Sequence, residues 1–182
     1  RSRIDTVDEE LLRIMKKAGC FAIFYGIESA DEKYWTVRRE SFNLLRTKIK
    51  GKKTAPFIDD IIVRPETLPE FLPRLEEVLG QYKIIYTIAG HVGDGNFHII
   101  PLMNFDDPQT KVIISELSDR VYKLVFQFHG SMTAEHNDGL IRTPYLKEMF
   151  GDHVYEIFVK VKNIFDPDNI FNPGKKVGEQ KQ

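Results

Sequence analysis

The chain has 182 residues, 42% hydrophobic and 12% aromatic, which is ample for one packed core. Its 26 Lys and Arg against 27 Asp and Glu leave a net charge of -1, so no global basic surface points to nucleic acid or an anionic membrane. The lone Cys20 excludes an internal disulfide framework, and neither a signal-peptide pattern nor an apolar run of roughly 18 residues is present. The expected setting is a reducing compartment, the cytoplasm, with the chain free or peripheral to a membrane. Residues 1–182 read as a single domain with a frayed tail over 177–182. Because the chain opens on Arg1 inside a charged segment, it reads as a fragment of a longer polypeptide.

Val7, Leu11, Leu12, Ile14 and Met15 recur at helical spacing, and Thr6 with Glu9 forms a capping box, so residues 6–18 are predicted to be a helix. Phe21 to Glu28 is a short aromatic and β-branched run, hence a strand, and a helix follows near residues 31–47. A basic loop leads to a second strand, Ile58 to Val63, stopped by Arg64-Pro65. Leu68, Phe71, Leu72, Leu75, Val78 and Leu79 then trace an amphipathic helix, although Pro69 and Pro73 fall near its first turns. Ile84 to Ile88 and Ile99 to Leu102 flank a Gly-rich stretch as two further strands. Pro108 opens a long helix to about Phe128, residues 129–142 are irregular, and a short helix after Thr143-Pro144 precedes another from Asp152 to about Phe165. Strands alternating with helices, but with a hairpin in the middle, imply an α+β fold: a mostly antiparallel sheet with helices on one face and further helices at the C-terminus.

The chemistry concentrates in Gly90-His91-Val92-Gly93-Asp94-Gly95-Asn96-Phe97-His98. Asp-Gly favours a two-residue hairpin turn, and with Asp94 and Gly95 as that turn His91 stands opposite His98. Opposed side chains have Cβ atoms about 4.5–5.5 Å apart, within reach of one shared metal ion. Glu135, next to His136 and followed by Asp138-Gly139, is the candidate third ligand of a two-histidine, one-carboxylate set. The plainer alternative is a polar Gly-rich turn without an ion.

These stretches, with Phe165-Asp-Pro-Asp-Asn-Ile-Phe-Asn-Pro-Gly-Lys175, Trp35-x-x-Arg38 and the Asp60/Pro65 region, resemble the C-terminal domain of the FAD-linked oxidases. That family includes glycolate oxidase, D-lactate dehydrogenase and D-2-hydroxyglutarate dehydrogenase. The resemblance covers about residues 20–177 and implies a ferredoxin-like cap domain that follows an N-terminal FAD-binding domain.

Carried over by position, it makes His91, His98 and Glu135 metal ligands, His136 a base or hydrogen-bond partner against the substrate carbon and its hydroxyl, Arg38 the clamp on the substrate carboxylate and Asn172 a neighbour of the flavin. The implied cofactors are FAD and a divalent metal, Zn with Mn or Fe also suited to the ligands. The implied reaction is oxidation of a small 2-hydroxy acid, D-lactate- or glycolate-like, by hydride transfer to FAD. The fragment alone is expected to be inactive. An inactive binding module and a non-haem metal-dependent oxygenase remain as other readings of the same residues. Two departures bear on the substrate: Ile58 and Ile100 stand where the hydroxyglutarate branch is expected to carry Lys and Asn. Asn137 replaces a usual Gly, a substitution that Asn tolerates because it enters the left-handed region more readily than most residues. Pro56 to Asp60 and Glu135 to Arg142 look more like the large members that append an iron–sulphur domain, so that domain or an electron-acceptor protein joins the expected partners.

Overall fold

A computed structural model describes residues 9–17 and 50–178, which belong to two units divided between Lys50 and Gly51. The expected strand at 21–28, the helix at 31–47, Arg38 and the end of the tail lie outside the described residues. In the first unit the described part is helix α1, Glu9–Lys17, with acidic residues in its first turn, basic ones in its last and an Arg13–Glu9 pair at 2.6 Å one turn apart.

The second unit is α+β, as the alternation of strands and helices implies. Its four strands are β1 (Lys53–Thr54), β2 (Ile58–Ile62), β3 (Ile85–Ala89) and β4 (Asn96–Met103), and every pairing is antiparallel to β4. β1 and β2 pair with successive stretches of β4, at residues 102–103 and 96–99, so they share one of its edges. β3 pairs with residues 98–102 and therefore takes the other. The helices are α2 (Leu68–Gly80), α3 (Gln109–Gln127), the single turn α4 (Gly139–Arg142) and α5 (Leu146–Phe165).

Period-two alternation divides β4. Phe97, Ile99 and Met103 join Phe71, Leu75 and Leu79 of α2 and Leu117, Val121 and Val125 of α3 in one buried core. Asn96, His98, Ile100 and Leu102 therefore belong to the opposite face. Pro73 is accommodated within α2, and Gly151 (φ 77°, ψ 165°) breaks α5 into the short and long helices that the sequence suggests. Tyr122 is fully buried and donates its hydroxyl to the Phe57 carbonyl at 2.6 Å.

The hairpin departs from the expected register. Ala89, not His91, stands opposite His98, and the connection is residues 90–95, with the loop 92–95 at its tip, rather than a two-residue turn. The His91 carbonyl accepts from both Asp94 N–H at 2.8 Å and Asn96 N–H at 3.2 Å, and Gly95 takes a left-handed φ of 75°. The cause is tertiary. Val63 N–H donates to the Gly95 carbonyl at 3.1 Å, and a Cβ on Gly95 would lie 1.9 Å from the Val63 carbonyl oxygen, so the end of β2 shapes the loop. A slip of two residues keeps each side chain on its face. His91 and His98 still meet, diagonally, with ring centroids 6.4 Å apart.

Candidate metal centre beside the hairpin

β2 carries a bulge between Ile58 and Ile61. Both isoleucines sit in the core although they are three positions apart, because β2 advances three residues while β4 goes back two, from Ile99 to Phe97. Asp60 absorbs the extra residue at φ 66°. Consequently two successive carboxylates meet two polar side chains of β4: Asp59 Oδ1 lies 2.9 Å from His98 Nδ1, and Asp60 Oδ1 accepts from Asn96 Nδ2 at 3.2 Å.

Asp60 is fully buried and organises the loop that carries Glu135 and His136. Its Oδ2 accepts the N–H groups of Ala134 at 2.8 Å, Glu135 at 3.0 Å and His136 at 2.9 Å, and the Thr133 hydroxyl at 3.1 Å. Burial alone would raise its pKa, but the N–H groups of His136, Ala134 and Glu135 and the Thr133 hydroxyl outweigh it and hold the carboxyl at about 2. The same loop is anchored by the bridge between Ile62 and Ser131, and Asn137 takes φ 65°, the left-handed conformation that a Gly would otherwise serve. The buried guanidinium of Arg142 ties the loop back to β2 by donating to the carbonyls of Asn137 and Asp59.

Glu135 is thereby aimed at the hairpin. Its Oε1 lies 3.5 Å from His91 Nε2 and its Oε2 3.9 Å from His98 Nε2. His136 stacks on His98 with centroids 5.0 Å and planes 18° apart, and its Nδ1 is 3.3 Å from Asp59 Oδ2. Among the described residues, Asp60, His98, Glu135 and His136 have donor atoms all within 4.8 Å of one another. Asp60 is the least available of these, since both its oxygens are occupied by N–H donors, whereas His91 reaches the Glu135 carboxylate from the hairpin side.

The donor chemistry fits a divalent cation. Two ligands of a tetrahedral ion at 2.0–2.2 Å lie roughly 3.4 Å apart, close to the separation between His91 and Glu135, and both exceed a hydrogen bond. His91 and Glu135 are about two-fifths exposed, which leaves room for an additional ligand.

Asn172 (φ 49°) sits in the C-terminal turn, and its carbonyl accepts the Lys175 N–H at 3.2 Å. That turn is held near the histidine loop by Lys176, whose Nζ lies 3.1 Å from Asp138 Oδ2 and whose N–H donates to the Thr143 hydroxyl oxygen at 2.8 Å. Asp166 terminates α5 and accepts the N–H groups of Ile170 and Phe171; the Lys162 ammonium beside it keeps its carboxyl below the ordinary range despite desolvation. A cavity of about 690 Å³ opens among His136, Leu146, Phe150, Phe158, Phe171 and Asn172. The site residue that motif reading passed over is Asp59. Its signal was the Asp-Asp pair inside an otherwise apolar strand, a pattern that a regular strand would send to opposite faces. Ile58, by contrast, is buried in the helix-side core and Ile100 on the other face of the sheet.

Fold and site thus define an α+β domain in which His91 and His98 each approach an oxygen of Glu135 at a hairpin mouth, with His136 stacked on His98 alongside. A family model described as FAD linked oxidases, C-terminal domain, matches residues 3–176, and the chain belongs to that family. It is 32% identical over 144 residues to the D-2-hydroxyglutarate dehydrogenase of Escherichia coli (strain K12), covering 79% of this chain and 14% of that protein. It is also 33% identical over 150 residues to the enzyme of the same name from Pseudomonas putida, covering 82% of this chain and 15% of that one. With the D-lactate dehydrogenase of Anaerostipes hadrus the identity is 27% over 175 residues, 95% of this chain and 36% of that protein. The chain therefore spans a minor part of the curated relatives it matches.

Proposed function

We propose that this chain is the substrate- and metal-binding cap domain of a flavin-dependent oxidoreductase that oxidises a D-2-hydroxy acid. The observation that carries this reading is the approach of His91 and His98 to the two oxygens of Glu135, at 3.5 and 3.9 Å, with His136 stacked beside them. His91, His98 and Glu135 would hold the divalent metal, with Zn the first choice and Mn or Fe suited to the same donors. When bound, the metal supplies Lewis acidity toward the substrate hydroxyl and FAD accepts the hydride.

The protein's part is positioning and proton transfer. His136 takes the hydroxyl proton through the ring nitrogen that does not face Asp59. Arg38 clamps the substrate carboxylate, as the family resemblance implies. Asn172 stands on the cavity wall shared with His136, on the side assigned to the flavin. The exposed Ile164, Phe165, Ile170 and Phe171 form an apolar end that suits a flavin-binding domain as partner. The chain by itself does not turn over substrate on this reading, because the hydride acceptor belongs to that partner domain. An iron–sulphur domain or a separate acceptor protein would take the electrons onward.

No described helix is long and apolar enough to cross a membrane. The reading is tested by the metal content of the purified chain after incubation with zinc. One equivalent bound by the wild type and lost in both His91→Ala and Glu135→Ala supports it. Retention of metal in both variants overturns the ligand assignment.

A further inference from the structure

Asp59 stands between two imidazoles, one carboxylate oxygen facing each. Oδ1 is 2.9 Å from His98 Nδ1, and Oδ2 is 3.3 Å from His136 Nδ1. Its side chain is 13% exposed, and the two rings are stacked with planes 18° apart, so a single acceptor group serves both from the same side.

A carboxylate offers lone pairs and no proton. A ring nitrogen that turned its own lone pair toward an oxygen at these distances would be repelled, whereas a ring N–H is attracted. His98, hydrogen-bonded to Asp59, therefore carries its proton on Nδ1 when neutral, and the charge of the same carboxylate 3.3 Å from His136 Nδ1 favours that tautomer there too, so that each Nε2 is left with its lone pair. For His98 that lone pair points toward Glu135, whose Oε2 is 3.9 Å away, the side where a metal would sit. For His136 it is the nitrogen free to accept a substrate proton. Free imidazole side chains favour the opposite tautomer, with the proton on Nε2, so the arrangement requires a group that imposes it. Carboxylates that accept the second N–H of a ligating histidine act in this way at metal sites.

We propose that Asp59 is a positioning residue that sets the tautomers of His98 and His136 together, preparing one ring as a metal ligand and the other as a base. The inference deepens the proposed function and rests on it for the roles of the two rings. Alternation after the core residue Ile58 sends Asp59 to the face of the sheet that carries His98, and the bulge at Asp60 returns Ile61 to the core behind it. A side-chain change at Asp59 spares the fold. Ile58 and Ile61 hold β2 in the core, and the Arg142 guanidinium bonds the Asp59 backbone carbonyl, not its carboxylate.

The experiment reads the tautomers directly, by long-range nitrogen–proton NMR of the imidazoles in the metal-free chain above the pH range where they ionise. Signals are assigned through single His98→Gln and His136→Gln variants. The wild type should show both rings protonated on Nδ1, and Asp59→Ala should return both toward the Nε2–H form. Asp59→Asn, nearly isosteric, keeps one accepting oxygen and adds one donating amide, so it should hold one ring as Nδ1–H and drive the other to Nε2–H. Zinc affinity measured by chelator competition should fall about 10- to 100-fold in Asp59→Ala. An Nε2–H pattern at either wild-type ring, tautomers unchanged in both variants, or an unchanged zinc affinity overturns the proposal. A wild-type chain that takes up no zinc refutes the metal reading instead, and the tautomers alone then decide the role of Asp59.

Discussion

The carboxylate of Asp60 accepts the backbone N–H of His136 at 2.9 Å across 76 positions of sequence, and the same oxygen holds the N–H groups of Ala134 and Glu135. One buried side chain on β2 therefore fixes the loop that presents both Glu135 and His136.

That relationship gives the protein an acid limit. The folded-state pKa of Asp60 is depressed from an ordinary 3.8 to about 2, so its contribution is complete above pH 3.8 and disappears as the pH falls toward 2. The difference corresponds to on the order of 2 kcal/mol. In urea unfolding followed over this range, the wild type should lose that stability and Asp60→Asn should lose less. At neutral pH Asp60→Asn should be the weaker protein, by about 2 kcal/mol or more, because backbone donors lose their charged acceptor.

Tyr122 sets the corresponding alkaline limit. Burial raises its pKa from 10.0 to about 12, so the folded protein keeps the phenolic proton where the unfolded chain releases it. Stability should fall as the pH rises from 10 toward 12, and Tyr122→Phe should reduce that slope, the remainder coming from Tyr145, whose phenolic proton is also held by burial and by the Asp119 carboxylate. The same variant should cost about 1–3 kcal/mol at neutral pH, since the Phe57 carbonyl loses its donor inside the core.

Gly95→Ala should unravel the hairpin mouth. The left-handed φ of 75° costs a non-glycine residue about 1–2 kcal/mol, and the added Cβ would also run into the Val63 carbonyl. Loss of zinc uptake together with a lower urea midpoint would place the fault in the loop. Intact binding in a fully stable variant would show that the loop can relax.

Zinc should protect the fold by mass action. At a free concentration about 100 times the dissociation constant the expected gain is about 2.7 kcal/mol, seen as a rise in melting temperature that a chelator reverses. His91→Ala, altered at a ring about two-fifths exposed, should melt like the metal-free wild type and show no rise.

Local patterns accounted for much of this chain. The repeat of Phe71, Leu75 and Leu79 placed α2, the stripe through Leu117, Val121 and Val125 placed α3, and the glycines of the hairpin announced a turn between β3 and β4. The alternation of the hairpin also survived the slip of two residues, which leaves His91 on the face of His98. Three features were decided only by the assembled fold. The turn expanded from two residues to the loop 92–95 because Val63 packs against Gly95. Asp59 and Asp60 came to one face because β2 bulges where β4 does not. Asp60 lost its availability as a ligand because the distant 133–136 loop filled its oxygens with donors. Periodicity reports what each residue prefers along its own strand or helix. Register, bulge and carboxylate occupancy depend on partners 30 or more positions away, and no local pattern encodes them.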